Sequence, residues 1–368
     1  MAAVDDFDDV DALALFDFHE SRAGVRGLVE SGVTTVPPPF LAPAAWNSSP
    51  AATEALVAPT VDLSLPRSQA VALVGAAARS CGLFQVTNHG VPPGTVESAL
   101  SAVRAFNEQP LASRSAYYSV STAGPAIYTT VPIPARNAGQ PANAPLLPWR
   151  DTIVLRFGHG ESHLDHLPAA CLDALLEYHR SLTVLGKMIA GLLSEALGVG
   201  TEQLDRAVQV EATLMQCHYY PPCPQPERVV GSRVHTDGDL FTVVAQDGVG
   251  GLQVRLDGHG DTWVDVVPVT GALIVNIGDV LKVVSNDDYK SVEHRVVVKS
   301  TQEARVSIAL FFNPGKCGDS DFFGPLAELV TQQRPARYRS LTWPELLRYR
   351  KQLGHARPSL DKFKVNLN

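Results

Sequence analysis

Three residues of this chain have the types and spacing that could bind a metal ion: His235, Asp237 and His294. In an extended segment His235 and Asp237 point to the same face, because side chains alternate along a strand. His294 follows His235 by 59 positions (294 − 235), in a segment that also has the pattern of a strand. Two imidazoles and one carboxylate form the facial triad of non-haem Fe(II) sites, which leaves coordination positions open. On spacing alone, a structural role for His294 is the favoured alternative.

A possible receptor for a carboxylate follows His294 by eleven positions. Arg305 and Ser307 share a face if their segment is a strand. The guanidinium offers a planar fork of donors that matches a carboxylate, Ser307 adds a hydroxyl, and Tyr220 could add another. Taken alone, Arg305 would more often pair with a surface acid. Together with the triad, it predicts a site where a metal and a carboxylate ligand are bound together.

The elements that would position these residues are short strands, which begin near residue 211. They recur at a spacing of roughly eight to twelve residues with glycine-containing turns between them, a pattern typical of a sandwich or jelly roll. The sequence therefore predicts a mainly β core. The predicted strands are Thr213–Tyr220, Val229–His235, Leu240–Gln246, Leu252–Leu256, Thr262–Val266, Ala272–Ile277, Ser291–Val298 and Ala304–Phe312.

Helices are predicted on both sides of this strand-rich part. The apolar spacing predicts helices at Gln69–Ser80 and Val91–Asn107, and a helical hairpin at Ala169–Leu197 that Gly198 ends. Residues 119–149 are proline-rich, and we interpret them as a loop that carries Tyr128 and covers the pocket as a lid. We divide the chain into a mixed N-terminal region (1–170), a strand-rich domain with its preceding helices (171–320) and a helical C-terminal extension (321–368).

Composition excludes some classes of partner. The chain has 368 residues, a formal net charge of −8 and 45% hydrophobic residues, values typical of a globular protein with a large core. The acidic balance argues against nucleic acid or an anionic membrane as the main partner, since both require a basic surface. Five scattered cysteines predict free thiols in a reducing compartment. We therefore expect a cytoplasmic protein, and a monomer.

Eight short segments, in order along nearly the whole chain, make the sequence resemble the plant 2-oxoglutarate- and Fe(II)-dependent dioxygenases. This family contains flavonoid dioxygenases and 1-aminocyclopropane-1-carboxylate oxidase. Residues 24–33 also look like the branch of oxidase homologues to which the grass enzymes that oxidise benzoxazinoid glucosides belong. The eight segments are Thr60–Ser64, Gly82–Gly90, Tyr219–Pro224, His235–Asp237, Gly250–Val254, Asn276–Asp279, Ser291–Val296 and Arg305–Ser307.

The resemblance implies a fold, a cofactor and a reaction. The fold would be a double-stranded β-helix, or jelly roll, with helices outside it. Fe(II) would be bound by the triad, and the distal carboxylate of 2-oxoglutarate by Arg305 and Ser307 with help from Tyr220. With O2, the co-substrate would be converted to succinate and CO2 while a small plant metabolite is oxidised, most often hydroxylated. We expect ascorbate as reductant and a phenolic, indolic or benzoxazinoid-like substrate.

Five positions that match the family's pocket would contact the substrate: Thr152, Gln216, His218, Phe311 and Asn313. His218 departs from the pattern, because the family often has asparagine two positions before the tyrosine at 220. His218 could position the co-substrate, contact the substrate or be a hydrogen-bonded core histidine. Phe311 could stack on an aromatic substrate, although a phenylalanine in a strand is usually core.

Three alternatives remain open from the sequence. One is an ethylene-forming oxidase, which uses ascorbate in place of 2-oxoglutarate; the long N-terminal extension and His218 speak weakly against it. A second is a non-catalytic small-molecule-binding relative, which has no need of both the triad and Arg305. A zinc hydrolase built on the same triad would leave Arg305 without a role.

Overall fold

The computed structural model of the protein describes residues 14–42, 58–121, 124–130, 146–158, 169–255, 262–353 and 360–365. Its helices are α1 (14–20), α2 (Gly24–Glu30), α3 (Arg67–Ser80), α4 (Pro93–Asn107), α5 (Leu111–Ser115), α6 (Ala169–Ala196), α7 (Gln203–Val208), α8 (Asp279–Val284) and α9 (Trp343–Leu353). Its strands are β1 (Thr60–Asp62), β2 (Leu83–Thr87), β3 (Ala126–Thr129), β4 (Asp151–Arg156), β5 (Val210–Tyr220), β6 (Ser232–His235), β7 (Phe241–Gln246), β8 (Leu252–Arg255), β9 (Trp263–Asp265), β10 (Leu273–Ile277), β11 (Glu293–Val296), β12 (Arg305–Pro314), β13 (Phe322–Phe323) and β14 (Leu341–Thr342).

Two sheets build the core. The larger has eight strands in the order β1-β2-β10-β7-β12-β5-β4-β3, and the smaller has four in the order β6-β11-β8-β9. All eight predicted strands are present as β5 to β12, with ends that shift by a few residues. The predicted mainly β fold with a jelly-roll core and flanking helices is confirmed.

Alternation along β5 shows how the sequence sorts its side chains between the two faces of the large sheet. Met215, Cys217 and Tyr219 belong to the main hydrophobic cluster, which includes the helices. Tyr220, one position on, belongs instead to a smaller cluster that contains residues of both sheets. Because side chains alternate, His218 also lies on the inner face, which looks toward the small sheet.

The predicted helical hairpin at Ala169–Leu197 is wrong, because α6 is one continuous helix of 28 residues. The glycines that could have marked a turn lie inside it. At Gly186 a side chain would overlap the ring of Phe312 on β12, so this glycine lets the helix approach the outer face of the large sheet closely. The helix ends before Gly198, whose φ of +78° is the left-handed conformation expected at a C-terminal cap.

The prediction that Tyr128 lies in a lid loop, within residues 119–149, is also wrong. Residues Ala126–Thr129 form β3, which pairs with β4 at the edge of the large sheet. Tyr128 is fully buried, and its ring packs edge-on against Phe106 with centroids 5.0 Å apart. All four residues of β3 are buried, so pairing with β4 and burial outweigh the proline-rich surroundings. Residues 131–145 of the predicted lid lie outside the described residues.

The C-terminal part adds the small β13–β14 pair and then α9, which lies against the turn that follows β6. In the part of the chain that the structure describes, no helix is both long and apolar enough to cross a membrane.

Candidate active site

The structure brings His235, Asp237 and His294 together on the inner side of the small sheet. His294 on β11 pairs directly with His235, the last residue of β6. Each histidine Nε2 lies 3.6 Å from Oδ1 of Asp237, and one possible ligand atom from each residue falls within 4.8 Å of the others. Asp237 lies beyond the end of β6, so the turn rather than strand alternation aims its carboxylate.

Backbone carbonyls hold both imidazoles in the tautomer that suits metal binding. Nδ1 of His235 lies 2.7 Å from the carbonyl oxygen of Arg233, and Nδ1 of His294 lies 3.2 Å from that of Val292. A carbonyl can only accept, so Nδ1 carries the proton and Nε2 keeps its lone pair. Burial, together with His294, lowers the pKa of His235 to about 3, so its ring is neutral at physiological pH.

Two side chains from the large sheet fix the Asp237 carboxylate. Thr242 Oγ1 and Asn276 Nδ2 both donate to Oδ2 at 2.6 Å, which leaves Oδ1 toward the histidines. Burial raises the pKa of Asp237, but the two imidazoles and these hydrogen bonds outweigh burial and hold it below its ordinary value. A charged carboxylate beside two imidazole nitrogens is a donor set that fits Fe(II).

Arg305 and its neighbours lie on the inner face of the large sheet. Its guanidinium donates from Nη1 to Ser307 Oγ and from Nη2 to Gln246 Oε1, both at 2.9 Å, and its Cζ lies 5.0 Å from the ring centroid of Tyr220. Arg305 Nε and Gln246 Nε2 are buried and have no hydrogen-bond partner within the described ranges. Buried donors without partners are costly, so this cluster fits an anionic ligand such as the carboxylate of 2-oxoglutarate.

A row of polar side chains runs across four strands beside Arg305. Strand register aligns Thr152, His218, Ser307 and Gln246 on β4, β5, β12 and β7. His218 Nδ1 lies 3.1 Å from Thr152 Oγ1. Burial, and then the positive charges of Arg150 and Arg305, hold the pKa of His218 well below its ordinary value. His218 is therefore a neutral hydrogen-bonding group in the pocket.

The other predicted substrate residues are at different distances from this row. Gln216 lies in the next row of the same face, between Val154 and Ala309. Phe311 pairs with Thr242, the residue that binds Asp237, and is only partly buried. Asn313 lies past an irregularity in β12, and its amide donates to Thr213 Oγ1 at 2.7 Å.

Sequence reasoning missed the supporting residues Thr242, Gln246 and Arg150. Arg150 Nη1 lies 3.5 Å from the hydroxyl of Tyr220. Period-2 alternation places Thr242 and Gln246 on one face of β7, but only the folded structure shows that they contact Asp237 and Arg305. A cavity of about 500 Å³ lies elsewhere, lined by Arg104, Tyr219 and Asp247, and contains none of the predicted site residues.

Two family models match the chain in its two main parts. The model of the 2OG-Fe(II) oxygenase superfamily matches residues 211–314, which contain the triad and Arg305. The model described as the N-terminal part of a non-haem dioxygenase in morphine synthesis matches residues 58–163.

Curated relatives and solved structures match over most of the chain. The 1-aminocyclopropane-1-carboxylate oxidase homolog 1 of Arabidopsis thaliana is 36% identical, with 92% of each chain covered. A homolog from Solanum lycopersicum is 35% identical over 98% of each chain. The crystal structure of JOX2 in complex with 2OG, Fe and JA superposes with a TM-score of 0.76 at 31% identity, covering 89% of this chain and 93% of that one. The rice dioxygenase for auxin oxidation superposes at 0.67 and 26% identity, covering 83% and 99%.

Proposed function

The chain belongs to the 2OG-Fe(II) oxygenase superfamily, among the relatives of the 1-aminocyclopropane-1-carboxylate oxidase homologues, and from this premise we propose its reaction and its site residues. It is an Fe(II)- and 2-oxoglutarate-dependent dioxygenase, an oxidoreductase. In our proposal, His235, Asp237 and His294 hold Fe(II), and Arg305 and Ser307 hold 2-oxoglutarate. The reaction is hydroxylation of a small plant metabolite, with release of succinate and CO2.

One observation carries the proposal. Within the described ranges, the only group of histidine, cysteine and acidic side chains with metal-ligand spacing lies at the small sheet, with His235 and His294 on its strands and Asp237 on the turn after β6. The inner face of the large sheet carries a buried guanidinium, and one of its nitrogens has no hydrogen-bond partner among the described residues. Thr242 and Asn276, which hold Asp237, belong to the same large sheet as Arg305. Binding a metal and a dicarboxylate in one pocket requires both the metal ligands and the buried guanidinium.

Each residue has a role that its contacts support. The fixed Nδ1 hydrogen bonds of His235 and His294 aim their Nε2 atoms, and Asp237 supplies the negative charge. Arg305 receives the distal carboxylate of the co-substrate, while Tyr220 packs under the guanidinium. Bound Fe(II) supplies the redox chemistry that couples the oxidative decarboxylation of 2-oxoglutarate by O2 to oxidation of the substrate.

The substrate is proposed to contact the inner face at Thr152 and His218, which belong to the polar row, and at Gln216, Phe311 and Asn313, which lie outside it. Because Phe311 is partly exposed on this face, it can stack on a phenolic, indolic or benzoxazinoid-like ring. His218 is neutral, so it acts by donating or accepting a hydrogen bond. Relatives solved with JA, or named for auxin oxidation, support a small organic substrate.

Three further expectations belong to the proposal: ascorbate keeps the iron reduced, the enzyme is a monomer, and it works in the cytoplasm. The five cysteines are free thiols, which agrees with a reducing compartment.

The proposal is tested by supplying labelled 2-oxoglutarate, Fe(II), ascorbate and plant extract to the purified enzyme and measuring succinate. Untargeted metabolite profiling of the same mixture identifies a product heavier by one oxygen atom. We expect succinate formation that requires Fe(II) and 2-oxoglutarate and is lost in His235→Ala. Product formation that continues without 2-oxoglutarate would contradict the proposal and favour an ascorbate-driven oxidase.

A further inference from the structure

Arg350 on α9 reaches the turn that carries Asp237, 113 positions earlier in the chain (350 − 237). Its Nη2 donates to the backbone carbonyl of Thr236 at 2.6 Å, and its Nη1 lies 3.3 Å from Thr236 Oγ1. Nη1 also forms an ion pair with the carboxylate of Asp279. One side chain from the C-terminal part of the chain therefore holds the residue that lies between His235 and Asp237.

The Asp279 carboxylate links this contact to the segment that carries His294, the third residue of the triad. It accepts a hydrogen bond from Thr236 Oγ1 at 3.1 Å and another from Ser291 Oγ at 2.8 Å. Ser291 lies three residues before His294. The backbone N–H of Asp279 also donates to the carbonyl oxygen of Asp237 at 2.9 Å. Asp279 thus connects the segment before His294, the turn with Asp237, and Arg350.

The Arg350–Asp279 pair is shielded enough to fix these positions. The Asp279 side chain is 6% exposed and that of Arg350 is 24% exposed. A Cβ atom at Gly238 would lie 2.9 Å from Arg350 Nε, so the guanidinium packs closely on the turn. An exposed ion pair contributes little, but a pair held by several hydrogen bonds in a partly buried place restricts the groups it touches.

We propose that Arg350 is a positioning residue for the metal triad, acting through Thr236 and Asp279. The inference rests on the proposed function, since it assumes that the triad binds a metal. Asp237 lies outside the strands, so no strand ladder holds its backbone; the backbone N–H of Asp279 and the side-chain contacts to Thr236 hold this turn. Groups that orient metal ligands typically change metal affinity by about 10- to 100-fold when they are removed. Arg350 therefore sets metal affinity without touching the metal or the substrate.

The test compares the dissociation constant for Mn(II), an oxygen-stable probe for the Fe(II) site, in five full-length proteins: wild type, His235→Ala, Arg350→Met, Arg350→Lys and Arg348→Met. Wild type and His235→Ala define binding at the triad. Arg350→Met removes the charge and the donors but keeps an unbranched side chain. Arg348→Met is the matched control, because Arg348 lies on the same helix, is 65% exposed, and has an exposed partner in Asp319 at 3.5 Å. Free Mn(II) is measured by electron paramagnetic resonance, and the melting temperature is recorded without and with metal.

In Arg350→Met we expect the dissociation constant for Mn(II) to rise by about tenfold or more. In Arg348→Met it should stay within twofold of the wild-type value. Arg350→Lys, which keeps the charge but gives up the planar fork, should lie between them. A lower melting temperature in Arg350→Met with unchanged Mn(II) affinity would mean a purely structural role and overturn the inference. If Arg350→Met does not fold, Arg350→Lys with wild-type affinity overturns it equally. Wild type that binds no Mn(II) would count against the triad itself, and so against both proposals.

Discussion

Single residues control the electrostatics of the pocket, and Arg305 has the most specific proposed role, which is to bind the carboxylate of 2-oxoglutarate. Arg305 is 5% exposed, and Ser307 and Gln246 accept hydrogen bonds that orient its guanidinium. A cation that is buried and has a free donor gains most from an anion. The sequence indicated Arg305 and Ser307 from their two-residue spacing, but gave no sign of Gln246, which is 59 positions away.

Arg305→Lys should weaken 2-oxoglutarate binding about 10- to 100-fold, because it loses the fork of donors to a charged partner, and such hydrogen bonds contribute about 1.5–3 kcal/mol. Mn(II) affinity should stay within twofold, since Arg305 does not touch the triad. Isothermal titration with each ligand measures both. Ser307→Ala, which removes one neutral hydroxyl, is the milder comparison; equal 2-oxoglutarate affinity in Arg305→Lys and wild type would place the receptor elsewhere.

His218 makes stability depend on pH. Burial holds its pKa in the folded protein well below the ordinary value of 6.5, so below pH 6.5 the unfolded chain binds a proton that the folded protein does not. Folding is therefore destabilised as the pH falls below 6.5, by up to about 1.4 kcal/mol per pH unit for this one group.

His218→Asn removes that titration and keeps a hydrogen-bonding side chain beside Thr152. The free energy of unfolding of the variant minus that of wild type should be larger at pH 5 than at pH 8. Urea denaturation of the metal-free proteins at both pH values measures the difference. The same stability difference at pH 5 and pH 8 would show that His218 is not held neutral by the fold.

At the scale of elements, strand alternation was the most informative signal in the sequence. It placed Arg305 and Ser307 on one face of their strand before the sheet order was known, and the register, which pairs them with Tyr220 and His218, confirms that they share it. Helix α6 was harder to predict. A glycine such as Gly186 often marks a turn, but in the fold it allows the helix to pack closely on the sheet. Nothing local distinguishes the two cases, since the ring of Phe312 comes from a strand more than 100 residues away.

Gly186→Ala should therefore lower the free energy of unfolding by about 1–3 kcal/mol, because the added methyl group overlaps Phe312, whose ring stacks on Phe241 at 4.7 Å. Gly94→Ala is the control: a Cβ atom there meets none of the described residues within 4 Å, and alanine favours the helix by up to about 1 kcal/mol. The two variants should shift the melting temperature in opposite directions. An unchanged or higher melting temperature for Gly186→Ala would contradict the close packing of α6 on β12.

At the scale of the whole molecule, the pocket depends on parts of the chain far apart in sequence. The small sheet carries the two histidines, the turn after β6 carries Asp237, the large sheet carries Arg305 and the donors to Asp237, and α9 holds that turn. The eight strands could be predicted because alternation is local, and the triad because its residues stand among motifs that resemble those of a known family. The contact of Arg350 with Thr236 could not, because no periodicity links a helix near the C-terminus to one turn of the core.

A metal that binds only the folded protein should stabilise it. At a Mn(II) concentration 100 times its dissociation constant, the free energy of unfolding should rise by about 2.7 kcal/mol. His235→Ala should lose this increment, whereas His89→Gln, a histidine outside the site, should keep it. Thermal unfolding with and without metal, followed by circular dichroism, makes the comparison. An equal increment in His235→Ala would place the metal at another site.

The central claim is that the triad and Arg305 bind a metal and 2-oxoglutarate in one pocket, and anaerobic absorption spectroscopy tests it most directly. Fe(II) and 2-oxoglutarate added together to the wild-type protein should produce a weak charge-transfer band in the visible region that neither produces alone. His235→Ala should abolish the band at any 2-oxoglutarate concentration, and Arg305→Lys should restore it only at higher 2-oxoglutarate. A band that survives in His235→Ala, or one that is absent from wild type, would contradict the account.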